Sequence, residues 1–518
     1  MFRLLLILFV PFYLFATQFK VASYNVENLF DAVKNGTEYD EYIPGKHNWS
    51  ERMADIKLTH ISEVICDLDA DIVALQEIEN EGILMRLQKR LKRVGCDYSY
   101  HSIARKKKTT IRVAILSRYP IVNEREIRVN YSSRDRDILE ATVKIKGQLL
   151  TLFVNHWKAK SRSGYESRRV NYARALAKRI DALPKKREYL IVGDLNSHYD
   201  EYRVLSKRLN DTKGKTGINH TLKSIKGDDL VSEHDIQVDN EGRHFNLWLE
   251  LAPSRRWSHK YYGHRGSIDH ILIPQSLVDG KGIDYVNNSY SVFRAPYLFT
   301  REGWINGWDY SGSKHKGRGY SDHLPIYATF SMEPYQPEKV KKPVLQKIEN
   351  LYTTEELSHP VRLENCVVIL KRGTNAVIKQ SPKGKAIYIY AAAAGLQEGQ
   401  RYDLTVSEIA TYKGMKEIMR IEQVKKLGSV TLKSYYLEEE RLDSGDPALQ
   451  NQVFVDLIGV YRNNHFEIEK RRIPIYFKKK RNRPADGTKL KIFYAHLGYY
   501  RKPQLVVYDR KDFKEMEK

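Results

Sequence analysis

From residue 19 to about 330, short apolar runs alternate with longer stretches whose apolar residues recur at helical spacing. This alternation confines the chain to a layered α/β or α+β architecture. Segments 21–24, 71–75, 113–116, 150–154, 189–192, 268–273 and 324–330 read as strands, and 51–67, 83–93 and 167–183 as helices. The long gaps at 211–242 and 290–320 suit loops that shape a cleft. Several of the apolar runs stop at a polar residue. In order these are Asn25, Glu77, His156, Asp194 with Asn196, and Asp322 with His323, while Asp269 lies within such a run. Strand ends at one edge of a sheet can gather such positions into one cleft, where carboxylates, amides and imidazoles suit metal-assisted phosphoester cleavage.

The rest of the chain reads differently. Proline and charge alternate around "EPYQPEKVKKP", as in a semi-rigid linker at 334–346. Beyond it the pattern is strand-rich and repeats weakly at an offset of 88 residues. Gly399, an alternating strand and Tyr412-Lys413 correspond to Gly487, a second such strand and Tyr500-Arg501. The expectation is an all-β tail of two small barrels, at 347–430 and 431–518, similar to OB-folds, with a β-sandwich as the other reading.

The formal charge is +23, and from residue 338 onward 35 Lys and Arg face 23 Asp and Glu, so about half of the excess lies in the tail. Such a chain attracts polyanions: nucleic acid, acidic polysaccharide or an anionic membrane surface. Residues 1–17 read as an export signal, with Arg3 before a short apolar run and Ala16 near the cut. No later apolar run reaches membrane length, so no stable insertion is expected once the signal is removed. Three cysteines, Cys66, Cys96 and Cys366, give neither a disulfide framework nor zinc spacing. They read as small buried hydrophobes; at most one bridge could form, and Cys66 with Cys96 is the only pair inside one expected domain.

The individual motifs carry the chemistry. An acid at the end of a buried strand, as Glu77 is in "DIVALQEIEN", can hold a hard divalent cation through oxygen. In "YLIVGDLNS" the period of a strand would point Asp194 and Asn196 one way and Leu195 into the core. A buried carboxylate at Asp269 needs a partner, and His323 is the natural one. His156 stands beside Lys158, Lys160 and Arg162, and the following helix opens with Arg168 and Arg169, a phosphate-seeking neighbourhood. The bland readings are a turn residue for Asn25, a structural histidine for His156 and solvated arginines on the helix.

Taken in order, "YNVENL", "LQEIEN", "VNHWKAKS", "VGDLNS", "GSIDHI" and "YSDHLP" resemble the endonuclease/exonuclease/phosphatase superfamily, the deoxyribonuclease I-like fold, over residues 19–330, within an expected catalytic domain of 18–333. The resemblance implies a four-layer α/β sandwich that cuts phosphoesters with Mg²⁺, Mn²⁺ or Ca²⁺. Carried over, it makes Asn25, Glu77 and Asp322 metal ligands, and His156, Asp194, Asn196, Asp269 and His323 catalytic. Arg162, Arg168, Arg169 and Lys158 are expected to bind substrate. The charge, the export signal and the tail point to an exported nuclease acting on DNA, with RNA as a further substrate. A sphingomyelinase or phospholipase C-type phosphodiesterase, with Trp304 and Trp308 near a membrane, is the alternative enzyme. A non-catalytic polyanion-binding protein is the alternative outside enzymes.

Overall fold

The computed structural model describes residues 18–516 except 133–134, 162–163, 185, 240, 262–263, 338–342, 358, 444 and 470. The expected export signal, Arg162 and the centre of the expected linker lie outside the described residues. The chain forms two compact units, Met1–Leu251 with Arg255–Glu338, and Ala252–Ser254 with Lys339–Lys518.

In the first unit ten principal strands build two sheets. They are β1 (Gln18–Leu29), β2 (Ile72–Ile78), β3 (Tyr100–Ile103), β4 (Arg112–Ser117), β5 (Ile121–Ile127), β6 (Ile138–Ile145), β7 (Gln148–His156), β8 (Tyr189–Asp194), β9 (Asp269–Ile273) and β10 (Ile326–Ser331). One sheet runs β10-β1-β2-β4-β3 and the other β9-β8-β7-β6-β5, with short strands at the outer edges. Both use the same pattern: a central parallel pair, β1 with β2 and β7 with β8, flanked by antiparallel neighbours. The carboxyl ends of the parallel strands and the start of β9 therefore meet at the same end of their sheets.

Period-2 alternation separates the layers. Leu150, Leu152 and Val154 of β7 and Leu190 and Val192 of β8 enter the core shared with the first sheet. Phe153 and Ile191 face the other way, onto Tyr172, Ala173 and Leu176 of α3 (Glu166–Asp181). On the first sheet, α1 (Glu51–Leu68) and α2 (Glu81–Arg93) bury Leu58, Ile61, Ile65, Ile83, Leu84 and Leu87. The result is the expected four-layer sandwich. Ser50 and Asn80 cap α1 and α2 by accepting from the N–H of Met53 and Ile83.

Sequence periodicity misses β3, β5 and β6. β5 reads "IVNEREI", an edge strand whose exposed charges hide its alternation. In β6 the apolar pattern is broken by Glu140, which is buried on the guanidinium of Arg179. The cysteine expectation needs correction. Cys66 at the end of α1 and Cys96 after α2 form a disulfide, so the buried-thiol reading holds for Cys366 alone.

The tail is two five-stranded barrels. The first comprises β11 (Val361–Arg372), β12 (Asn375–Lys379), β13 (Ala386–Ile389), β14 (Gln400–Tyr412) and β15 (Met415–Ser429). The second comprises β16 (Val453–Arg462), β17 (His465–Ile468), β18 (Arg471–Phe477), β19 (Lys489–Tyr499) and β20 (Pro503–Val507). In each barrel the neighbours run first, second, third, fifth, fourth and back to the first, with the third and fifth strands parallel, as in an OB-fold. The 88-residue repeat is the repeat of these barrels. Gly399 and Gly487, both at positive φ, each stand just before the fourth strand and donate an N–H to the first, at Val368 and Tyr461.

Candidate active site

The site lies where β1, β2, β7 and β8 end and β9 begins, and where the segment before β10 arrives. Register brings its members together: His156 faces Asp194 across β7 and β8, and Asp269 faces Asp194 across β9 and β8. Gly193 makes the approach possible. It stands at φ +127°, and a Cβ there would collide with the carbonyl of Asn155.

Asp194 is the hub. Its Oδ2 accepts from Asn25 Nδ2 and from Asn196 Nδ2, both at 3.2 Å, and lies 3.6 Å from His156 Nε2 and 4.0 Å from His323 Nε2. Its Oδ1 accepts the backbone N–H of Asn196 at 2.8 Å. The pairing of 194 with 196 has a different cause from the one the strand period suggests. β8 ends at Asp194, and Asn196 turns back at φ +47° in a side-chain-closed turn.

The amide of Asn25 is oriented by the chain. Its Oδ1 accepts the N–H of Glu27, so its Nδ2 must face Glu77 Oε1 and Asp194 Oδ2. Asn25 thus bridges two carboxylates by donation from Nδ2. The side chain of Glu77 is 17% exposed, at φ +69°, and lies 3.6 Å from His156 Nε2.

His323 and Asp269 form the expected pair, with Nδ1 to Oδ2 at 2.8 Å, and Ser258 donates its hydroxyl to the same oxygen at 2.5 Å. Ser321 anchors the segment by donating to the carbonyl of Asn25 and accepting from the N–H of His323.

Electrostatics separates these groups. Burial drives the Asp194 carboxyl up to about 7, against the nearby His323 and the Asn196 hydrogen bond. Burial also works against charge on His323, but Asp269, then Asp322 and Asp194, outweigh it and hold the imidazole well above its ordinary range. In Asp269 the His323 imidazole overcomes burial and keeps the carboxyl low. His156 goes the other way: burial, then Arg136 and His323, push it well below its ordinary range.

Three carboxylates, Glu27, Glu77 and Asp322, test the fit of a cation. Glu77 is raised by burial and then by Asp322, and buried Glu27 responds to the same two causes. Glu27 Oε2 accepts the N–H groups of Asp322 and Trp308 at 2.8 and 2.9 Å. The buried ammonium of Lys57 acts on both Glu27 and Asp322 and has no hydrogen-bond partner. The repulsion that Asp322 exerts on Glu77 and Glu27 is of the kind a hard divalent cation would relieve.

The basic residues divide. Arg169 is fully buried, with its guanidinium on Glu166 and on the carbonyls of Lys158 and Gly164, so it supports the fold; the expectation of substrate contact is corrected. Arg168 is held by Asp135, while the Lys158 charge acts on His156 at the cleft. Sequence reasoning passed over Glu27, Lys57, Arg136, Ser258 and His259. Arg136 donates to the carbonyls of His156 and Trp157. His259 Nε2 lies 3.7 Å from Asp322 Oδ2. Glu27 had one visible signal, its place in "NVENLF" directly after Asn25.

Two mixed sheets, packed face to face between helices and gathering acids, amides and imidazoles at one end, define the deoxyribonuclease I-like class. The sequence profile of the Endonuclease/Exonuclease/phosphatase family matches residues 20–332, and the chain belongs to that family of phosphoester hydrolases. Among solved structures, humanized D. rerio TDP2 is 15% identical, over 60% of this chain and 98% of that one, with a TM-score of 0.38. TDP2 from C. elegans is 14% identical, over 61% and 75%, with a TM-score of 0.36. An endonuclease/exonuclease/phosphatase from Bacteroides vulgatus is 14% identical, over 61% and 100%, with a TM-score of 0.38. None of the curated proteins matches the chain.

Proposed function

We propose that this protein is an exported, Mg²⁺-dependent nuclease that hydrolyses phosphodiester bonds of DNA and also accepts RNA. The observation that carries the reading is the convergence of Asn25, Asn196, His156 and His323 on one oxygen of Asp194. A carboxyl near neutrality, held by two amides, is suited to taking a proton from an attacking water. His323, kept protonated by Asp269, donates from Nε2 to a phosphate oxygen as negative charge builds there. His156 is neutral and turns Nε2 toward the same space, where it bonds the phosphate. Asn196 orients the water. Glu77 and Asp322 would hold the Mg²⁺, with Mn²⁺ or Ca²⁺ as alternatives of the same ligand chemistry, and Asn25 keeps Glu77 turned toward it. When bound, the ion neutralises phosphate charge and polarises the ester.

The basic tail supports a polyanionic substrate. Tyr390, Tyr412, Tyr476 and Tyr500 are exposed among Lys and Arg, whereas Tyr388 is buried against His496 and is not available to stack on a base. The Cys66–Cys96 disulfide supports an oxidising, exported location. Of the two tryptophans of the lipid alternative Trp308 is buried, which disfavours it, while Trp304 is exposed beneath the ammonium of Lys260 at 3.9 Å. Among the described residues no helix is long and apolar enough to cross a membrane.

The test is incubation of the purified protein with supercoiled plasmid and, separately, with sphingomyelin vesicles, each with Mg²⁺ and with EDTA. Plasmid nicking that needs Mg²⁺ is expected. Intact plasmid together with release of phosphocholine would overturn the proposal in favour of the lipid phosphodiesterase.

A further inference from the structure

His259 is an imidazole at the cleft that the proposed hydrolysis does not use. Its Nε2 lies 3.7 Å from Asp322 Oδ2, and His323 Nε2 lies 3.9 Å from Asp322 Oδ1. The two rings are 4.7 Å apart, and the three ligand atoms all fall within 4.8 Å of one another. Ligands about 2.0–2.2 Å from a shared ion stand roughly 3–4 Å apart, so a contraction of about 1–2 Å at most closes the set.

The main chain holds the histidines in place. His259 and His323 pair in an isolated antiparallel bridge, and the N–H of Leu324 donates to the carbonyl of Ser258 at 2.7 Å. His323 is also oriented as a metal-binding imidazole is. Its Nδ1 is tied to Asp269, which Ser258 fixes in turn, and this leaves Nε2 facing Asp322. A second group, Asp194, Asp269 and His323, has two carboxylates and a single imidazole, so it lacks the second nitrogen that favours zinc.

We propose that His259, Asp322 and His323 form a second cation site, of two imidazole nitrogens and a carboxylate, that takes Zn²⁺ or a similar borderline ion. Imidazole favours zinc and its neighbours over Mg²⁺, which keeps to oxygen and water, so this site, which shares Asp322 with the proposed Mg²⁺ ligands, differs from them in selectivity. The side chain of Asp322 is 47% exposed, which leaves room for water in the remaining coordination position. An ion here occupies the Nε2 of His323, so zinc binding and use of that nitrogen on a phosphate oxygen exclude each other. The inference does not depend on which phosphoester the protein cuts.

The test uses the full, untagged chain and Zn²⁺ alone. Zinc-edge X-ray absorption of the loaded wild-type protein should show imidazole and oxygen neighbours, and calorimetric titration should give one tightly held ion per chain. His259→Asn should weaken zinc about tenfold or more, by loss of a ligand, while Glu77→Gln should leave its affinity within about twofold. An oxygen-only shell, a sulfur neighbour, no retained zinc, or equal affinity in His259→Asn would overturn the proposal. Circular dichroism checks both variants, and if His259→Asn does not fold, the wild-type absorption spectrum decides.

Discussion

The two units treat buried polarity in opposite ways. In the catalytic unit one group of buried acids and imidazoles lies at the end of the two sheets where the site forms, and there His156 Nδ1, Asp269 Oδ1 and Lys57 Nζ have no hydrogen bond. In the tail the most buried imidazole is satisfied. His496 meets Tyr508 through Nδ1 at 3.0 Å and Asn451 through Nε2 at 2.9 Å, and it stacks on Tyr388 of the other barrel. Nearby, Lys379 bonds two carbonyls and Gln452. Unsatisfied polar groups cost stability, so their concentration at one place marks where the fold gives up stability for chemistry. Where the same groups are satisfied, they join two barrels.

Replacing the imidazole at the centre of the first unit should have the largest effect. His323→Ala should lower phosphodiester cleavage about 10³-fold, while retention of DNA, measured by fluorescence anisotropy, stays within about twofold. Asp269→Asn comes next, with about a 10²-fold loss. It removes the charge that raises His323, so the imidazolium is lost at lower pH and the alkaline limb of the rate profile should move toward acid. An unmoved limb would break the assignment of Asp269 as the residue that sets the His323 charge.

In the tail the sharper test is stability. Burial lowers His496 from 6.5 to about 3, so below pH 6.5 the unfolded chain takes up a proton that the folded one refuses. Stability then falls as pH falls, by about 2 kcal/mol between pH 6.5 and 5. Denaturant titrations across that range should show the slope, and His496→Gln should flatten it. The smallest effect is on binding. Removing residues 334–518 should weaken DNA affinity about tenfold at moderate salt and reduce its salt dependence, with little change in turnover of a short oligonucleotide. Unchanged affinity at every salt concentration would separate the tail from substrate capture.

Much of the site was legible because strand ends carry a simple signal. An apolar run that stops at an acid, amide or imidazole identified Glu77, His156, Asp194 and His323 before any geometry was known. Arg169 shows where that reading fails. A guanidinium near a helix start looks the same in sequence whether it faces phosphate or, as here, is sealed beneath Glu166. Burial of a charge depends on what packs over it, and no local pattern carries that. The disulfide was missed for a related reason, since a spacing of 30 residues says nothing of the 5.7 Å between the two Cα atoms.

The sequence by itself determined the layered architecture, the tail repeat and the polar residues at the strand ends, because hydrophobic period and chain punctuation are local properties. Tertiary structure alone decided that Asn25 donates to Glu77 and Asp194, that Asp194 titrates near neutrality, and that His259 stands beside Asp322. Hydrogen-bond direction, desolvation and through-space charge depend on atoms brought together from distant parts of the chain.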